Sequence, residues 1–100
     1  MHVIIWEFRV RAGREEEFER AYAPAGGWAV LFKRGEGYLG TELHRDGAGG
    51  RRYVTIDRWA TREAFEAFRA TWKKDYDDLD GRCEALTEDE APIGSFTSVS

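Results

Sequence analysis

The chain has a single cysteine, Cys83, and two histidines, His2 and His44. One cysteine permits no internal disulfide, and so few thiol and imidazole groups give no metal-ligand spacing, so no metal is expected. Long apolar runs are missing as well: nothing approaches the roughly 20 residues of a membrane-crossing helix. The opening Met1–Glu7 stretch, MHVIIWE, has no basic leader and meets a charge too soon for a secretory signal. A reducing cytoplasm is the expected location. Positive charge is in deficit, with 15 Lys and Arg against 19 Asp and Glu and a net charge of −4. Nucleic-acid binding is not expected without a basic excess. No repeat or low-complexity linker interrupts the 100 residues, which predict one domain over 1–100.

Aromatic residues are plentiful. Four Trp, four Tyr and six Phe can build a core, or a core with a flat hydrophobic pocket. The chain is organised around Tyr53–Trp59, YVTIDRW, and the Ala60–Arg69 segment that follows at once. The first part is β-branched and aromatic without Gly or Pro, which predicts a strand. Phe65, Phe68, Trp72, Tyr76 and Leu79 then recur at steps of three or four and share one helical face. Thr61 suits the N-cap and Glu63 the first turn of this helix, predicted over 61–80.

The remaining elements follow from the same periods. Residues 2–10 alternate, with Ile4, Trp6, Phe8 and Val10 on one face and Val3, Ile5, Glu7 and Arg9 on the other. A helix is predicted from about Arg14, with Glu15, Glu16 and Glu17 in its first turn and Phe18 and Tyr22 inside. Pro24 and Gly26-Gly27 stop it, and Trp28–Lys33 reads as a short second helical piece. Tyr38–Arg45 is a strand with Leu39, Thr41 and Leu43 on one face and Tyr38, Glu42 and His44 on the other. Asp46–Gly50 marks a hairpin into the strand at 51–59. A break near Asp80-Gly81 and a final strand from Ile93 to about Val99, opened by Pro92, complete the order. Two helices and four strands in the order βαββαβ describe an α+β sandwich with helices on one face of the sheet. The bare face, half apolar, is expected to meet a second copy of the chain.

Residues 75–90 hold eight acidic side chains against Arg82 alone. This reads as a solvated face, since the spacing is not that of a calcium loop. No Ser-His-Asp arrangement and no phosphate-binding glycine loop are present. Cys83, beside Asp80 and Glu84, is poorly placed to ionise as a nucleophile.

Three stretches, FRVRAGREEEFERAY (Phe8–Tyr22), GYLGTELHRD (Gly37–Asp46) and RYVTIDRWATREAFEAFR (Arg52–Arg69), together resemble the antibiotic biosynthesis monooxygenase-like family. The resemblance implies a ferredoxin-like subunit with an antiparallel sheet, two copies of which pair sheet to sheet as a dimeric α+β barrel. It also implies a pocket between sheet and helices. Some members oxidise aromatic phenols with oxygen and no cofactor, and others degrade haem. The haem-degrading branch uses an asparagine on the first strand and a histidine on the second helix. This chain has no asparagine anywhere and no histidine in residues 61–80. The cofactor-independent oxygenases place Asn, Trp and Tyr or His around the substrate, and here Trp59, Trp72, Tyr76 and His44 supply those types without the Asn.

His44 on the second strand is a candidate general base, or an ordinary surface or interface residue. Asp57 shares a strand face with Tyr53, Thr55 and Trp59. It becomes a candidate base if that face meets the helices, and an ion-pair partner of Arg9 or another Arg if it meets the second copy. Pairing is the expected outcome, since buried charges are usually matched. Trp28, Phe32, Trp59, Phe68, Trp72 and Tyr76 are the candidate substrate-binding residues, with core packing the alternative, above all for the two Phe. The expected function is cofactor-independent oxygenation of a small aromatic or polyketide-like molecule. Its rivals are a non-catalytic or stress-response dimeric module that binds a hydrophobic molecule, and an isomerase or cyclase using the same pocket.

Overall fold

A computed structural model of the protein describes residues 1–99. Four strands form one antiparallel sheet in the order β2-β3-β1-β4: β1 (His2–Val10), β2 (Tyr38–Arg45), β3 (Arg52–Trp59) and β4 (Thr87–Thr97). Four helices lie on one face: α1 (Glu15–Tyr22), α2 (Gly27–Phe32), α3 (Arg62–Thr71) and α4 (Lys73–Cys83). This is the ferredoxin-like α+β arrangement, with α1 and α2 between the first two strands and α3 and α4 between the last two.

β1 sits at the centre of the sheet and pairs antiparallel with both β3 and β4. Its alternation sends Phe8 and Val10 into the core, where they are 5% and 0% exposed. Tyr53, Thr55 and Trp59 of β3 are buried on the same side. Rings interlock beneath the helices. Phe18 stacks on Tyr22 with centroids 4.3 Å apart, and Trp59 meets Phe32, Phe65 and Phe68. Withdrawing a ring such as Phe18 from water contributes about 1.5–3 kcal/mol.

The joint after β3 is capped as its sequence predicts: Thr61 Oγ1 accepts a hydrogen bond from the Ala64 amide at 3.0 Å. The helix that follows is not continuous. At Trp72 the backbone turns out of the helical region (φ −109°, ψ 27°), dividing it into α3 and α4. Its second half then runs through Gly81 to Cys83, past the break expected near Asp80-Gly81.

Two strands also depart from the expected pattern, each at a bulge. In β2, Tyr38 pairs with Trp59 but Gly40 pairs with Arg58, so Leu39 is an extra residue. Gly40 adopts φ +139°, open to glycine and strained for other residues. The extra residue reverses the faces upstream of it. Tyr38 therefore joins Thr41 on the helix side, in contact with Trp59 and Phe32, while Leu39 is exposed. β4 begins at Thr87, six residues earlier than expected, and accommodates Pro92 on an edge strand beside a second bulge.

Among the described residues, the opposite face of the sheet carries no helix. Register places Val3, Ile5, Val54 and Ile56 there, along with Glu7, Arg9, Glu42, His44 and Arg58.

Candidate active site

A cavity of about 260 Å³ opens between the sheet and the helices. Its walls are aromatic. Trp6 and Phe8 enter from β1, Tyr22 from α1, Trp28 and Phe32 from α2, and Tyr76 from α4. Trp28 meets Tyr76 edge-on with centroids 5.0 Å apart. The floor is polar, made by Thr41 of β2 with Thr55 and Asp57 of β3. Charged groups complete the lining: Arg69 of α3, Asp80 of α4 and Glu90 of β4.

Asp57 is the one carboxylate on the floor. Thr41 Oγ1 donates to its Oδ1 at 2.6 Å, and a hydrogen bond of 2.6 Å links Thr41 Oγ1 to the Tyr38 hydroxyl. The second carboxylate oxygen has no hydrogen-bond partner among the described residues. Loss of solvent pushes the Asp57 carboxyl up to about 6, against a smaller downward pull from the Thr41 hydroxyl. The ion pair expected across the barrel, with Arg9 or another Arg, requires Asp57 on the helix-free face, whereas Asp57 lies on the helix side. Arg9 pairs in register with Arg52 on the far side of the sheet, and Asp57 makes no ion pair among the described residues.

At the opposite wall, the Arg69 guanidinium lies 4.2 Å from the centre of the Tyr76 ring and 5.9 Å from that of Phe65. Such stacking fixes a long side chain at modest entropic cost. Burial raises the Tyr76 phenol, with Arg69 opposing that shift. The Glu90 carboxyl is raised by desolvation and by its neighbours Asp80 and Glu84. Deeper in, the Trp28 indole N–H is sealed beside the Tyr22 hydroxyl and the Cys83 thiol. Desolvation raises both Tyr22 and Cys83, which keeps the thiol protonated.

The structure thus brings together Asp57, Trp28, Phe32 and Tyr76 of the residues singled out from sequence. It places the others elsewhere. His44 points from the helix-free face of the sheet, exposed and 3.0 Å from Glu42, because it alternates with Leu43, which packs against the core. Trp59 and Phe68 are completely enclosed in the core, 0% and 2% exposed. Trp72, at the junction of α3 and α4, lies outside the cavity under the Arg34 guanidinium, 5.0 Å away. Trp6, Tyr22, Thr41 and Arg69 line the cavity without having been singled out as ligand-contacting. Alternation gave Trp6 and helical spacing gave Tyr22 as inward residues. Thr41 meets Asp57 only through the pairing of β2 with β3.

The family profile described as Antibiotic biosynthesis monooxygenase matches residues 1–73. The chain belongs to this family. Solved structures agree on the fold. SnoaB, a cofactor-independent oxygenase from Streptomyces nogalater, is 26% identical with a TM-score of 0.79, over 99% of this chain and 93% of that one. A mutant of SnoaB superposes with a TM-score of 0.82 at 24% identity and the same coverage. A NIPSNAP family protein from Agrobacterium tumefaciens, 14% identical, matches 98% of this chain and 92% of its own with a TM-score of 0.71. The antibiotic biosynthesis monooxygenase fold therefore extends to proteins of another family name, and the fold by itself does not select a reaction. No curated protein matches the chain.

Proposed function

We propose that this family member is a cofactor-independent monooxygenase acting on a small aromatic or polyketide-like molecule. The observation that supports it most is a single carboxylate, Asp57, on the floor of a cavity walled by six rings. With its carboxyl near 6, Asp57 is mostly ionised at neutral pH yet still basic enough to accept a proton. The proposed sequence starts when Asp57 takes a proton from an activated CH₂ or phenol held flat between the rings. The resulting carbanion or phenolate passes an electron to molecular oxygen. Recombination gives a peroxide anion, which takes the proton back from Asp57 to become a hydroperoxide, and for a CH₂ centre loss of water leaves a carbonyl. The similarity to SnoaB favours oxygen as the acceptor.

The cavity is slightly below the roughly 300 Å³ at which sites for drug-sized ligands begin. Substrates of two or three fused rings suit it better than larger polyketides. The working unit in this proposal is a homodimer in the cytoplasm, each copy one domain of residues 1–100, paired through the helix-free sheet face.

The test is oxygen uptake in air with anthrone and a panel of naphthols and quinols, for the wild type and for Asp57→Asn. Uptake with one of these compounds that falls at least about a hundredfold in Asp57→Asn supports the reading. Uptake unchanged by the substitution removes Asp57 as the base. Turnover to an isomer without oxygen consumption would instead mark an isomerase or cyclase. Binding without any product would mark a non-catalytic module, a reading favoured by the absence of asparagine from the chain.

A further inference from the structure

We propose that Tyr38 is a positioning residue for Asp57, acting through the hydroxyl of Thr41 to orient the cavity carboxylate and hold it ionised. This rests on the reading of Asp57 as the base and adds two residues to it.

The geometry gives the chain of hydrogen bonds a direction. An ionised carboxylate only accepts, so the 2.6 Å bond between Thr41 Oγ1 and Asp57 Oδ1 uses the single proton of Thr41. Thr41 must then accept in its other 2.6 Å bond, and the Tyr38 hydroxyl must donate. Tyr38 O–H, Thr41 O–H and Asp57 carboxylate thus align donor to acceptor, and each bond polarises the next. Aligned this way, they favour the charged form of Asp57 against the desolvation that opposes it. They also tie Oδ1 to the sheet, leaving the other carboxylate oxygen for a ligand.

The backbone of β2 is shaped for this contact. Without the bulge at Leu39, Tyr38 would project from the opposite face of the sheet; with it, Tyr38 lies on the cavity side against Trp59. Gly40, at φ +139°, makes the bulge possible. Other titratable groups around the cavity are Tyr22 on α1, Arg69 on α3, Tyr76 and Asp80 on α4, and Glu90 on β4. None of them hydrogen-bonds Asp57 among the described residues, so the link through Thr41 is the direct polar contact to the carboxylate.

The experiment is an NMR titration of the Asp57 side-chain carboxyl carbon in ¹³C-labelled protein, without ligand. It compares the wild type with Tyr38→Phe, Thr41→Val, Thr41→Ser and the double variant Tyr38→Phe/Thr41→Val, each checked for a native-like amide spectrum. Thr41→Val is expected to weaken the acidity of Asp57 roughly tenfold, and Thr41→Ser to restore it. Tyr38→Phe should shift it in the same direction by a factor of about two to four. In the double variant the Tyr38 effect should vanish, because its route through Thr41 is gone. A Tyr38→Phe titration identical to wild type overturns the proposal, as does an equal Tyr38 effect with and without the Thr41 hydroxyl. The titration is independent of turnover. Oxygen uptake by Asp57→Asn at the wild-type rate would end the base assignment while leaving the Tyr38–Thr41–Asp57 coupling measurable.

Discussion

Gly35 lies so close to the Trp59 indole that a methyl group on its Cα would stand 2.9 Å from Cη2 and Cζ3 of that ring. The same methyl would meet Cδ1 of Phe68 at 2.9 Å. Both rings are enclosed in the core, so neither can swing toward solvent. Gly35→Ala is therefore expected to destabilise the protein by about 1–3 kcal/mol through overpacking. Gly27, where an added methyl would meet nothing within 4 Å, is the control. Gly27→Ala should stay within about 0.5 kcal/mol of wild type. Urea midpoints measure both, and equal midpoints would mean the loop before β2 yields more easily than its contacts suggest.

The carboxyl of Asp57 makes stability depend on pH in a direction opposite to that of a salt-bridged acid. Folded, it titrates near 6; unfolded, it returns to about 3.9. Between these values the native state holds more protons than the unfolded one, so stability falls as pH rises. The favourable contribution of the neutral group is complete below about pH 4 and is lost as pH passes through about 6. Asp57→Asn removes this penalty and should be more stable than wild type at about pH 7.5, by on the order of 2–3 kcal/mol, with the gap closing near pH 4. Urea titrations at the two pH values decide it. A constant gap would show that Asp57 is not strained by burial. A carboxylate that costs stability at neutral pH is the pattern expected of a group kept for chemistry.

Much of the fold was legible because it rests on local rules. The period-two alternation of residues 2–10 identified the buried face of β1, and Thr61 announced the helix after β3. The bulge at Leu39 was not legible: one extra residue in a strand leaves no trace in composition, yet it decides which way Tyr38 points. The break at Trp72 was hidden for a related reason, since no Pro or Gly marks it and the apolar period continues to Leu79. For the site, aromatic spacing identified Trp28, Phe32 and Tyr76, but it could not separate lining rings from packed ones such as Trp59 and Phe68. Asp57 was recognised as a residue with two alternative environments. Choosing between them required the sheet register, which put Arg9 on the other side.

Ligand binding should follow the cavity walls rather than the aromatic content of the helices. Quenching of tryptophan fluorescence by 2-naphthol is a direct probe, because Trp6 and Trp28 line the cavity. Tyr76→Ala removes one wall and the ring beneath Arg69, and should weaken binding about tenfold or more. Trp72→Phe and His44→Gln, both outside the cavity, should leave affinity within about a factor of two. Weakening by His44→Gln equal to that of Tyr76→Ala would move the binding site to the other face of the sheet.

That other face carries the last prediction. Ile5 and Ile56 stand opposite each other on β1 and β3, flanked by Val3 and Val54. Most of the charges beside them are matched within the chain, since Arg52 bonds Glu7 at 2.7 Å and Arg58 bonds Glu42, while Arg9 at the end of the strip makes no ion pair among the described residues. Paired charges are easier to cover than free ones, so the strip behaves as an apolar surface whose rim is largely neutralised. A second copy related by a twofold axis would present the same strip in return. Sedimentation at micromolar concentration is expected to give about twice the 11.5 kDa chain mass. Ile56→Glu places an unpaired carboxylate at the centre of the strip and should yield a folded monomer with unchanged circular dichroism. Because the substitution lies on the far side of the sheet from the cavity, naphthol binding per chain should survive it. A wild type that sediments as a monomer would leave the apolar strip facing water and remove the dimer from the proposed working unit.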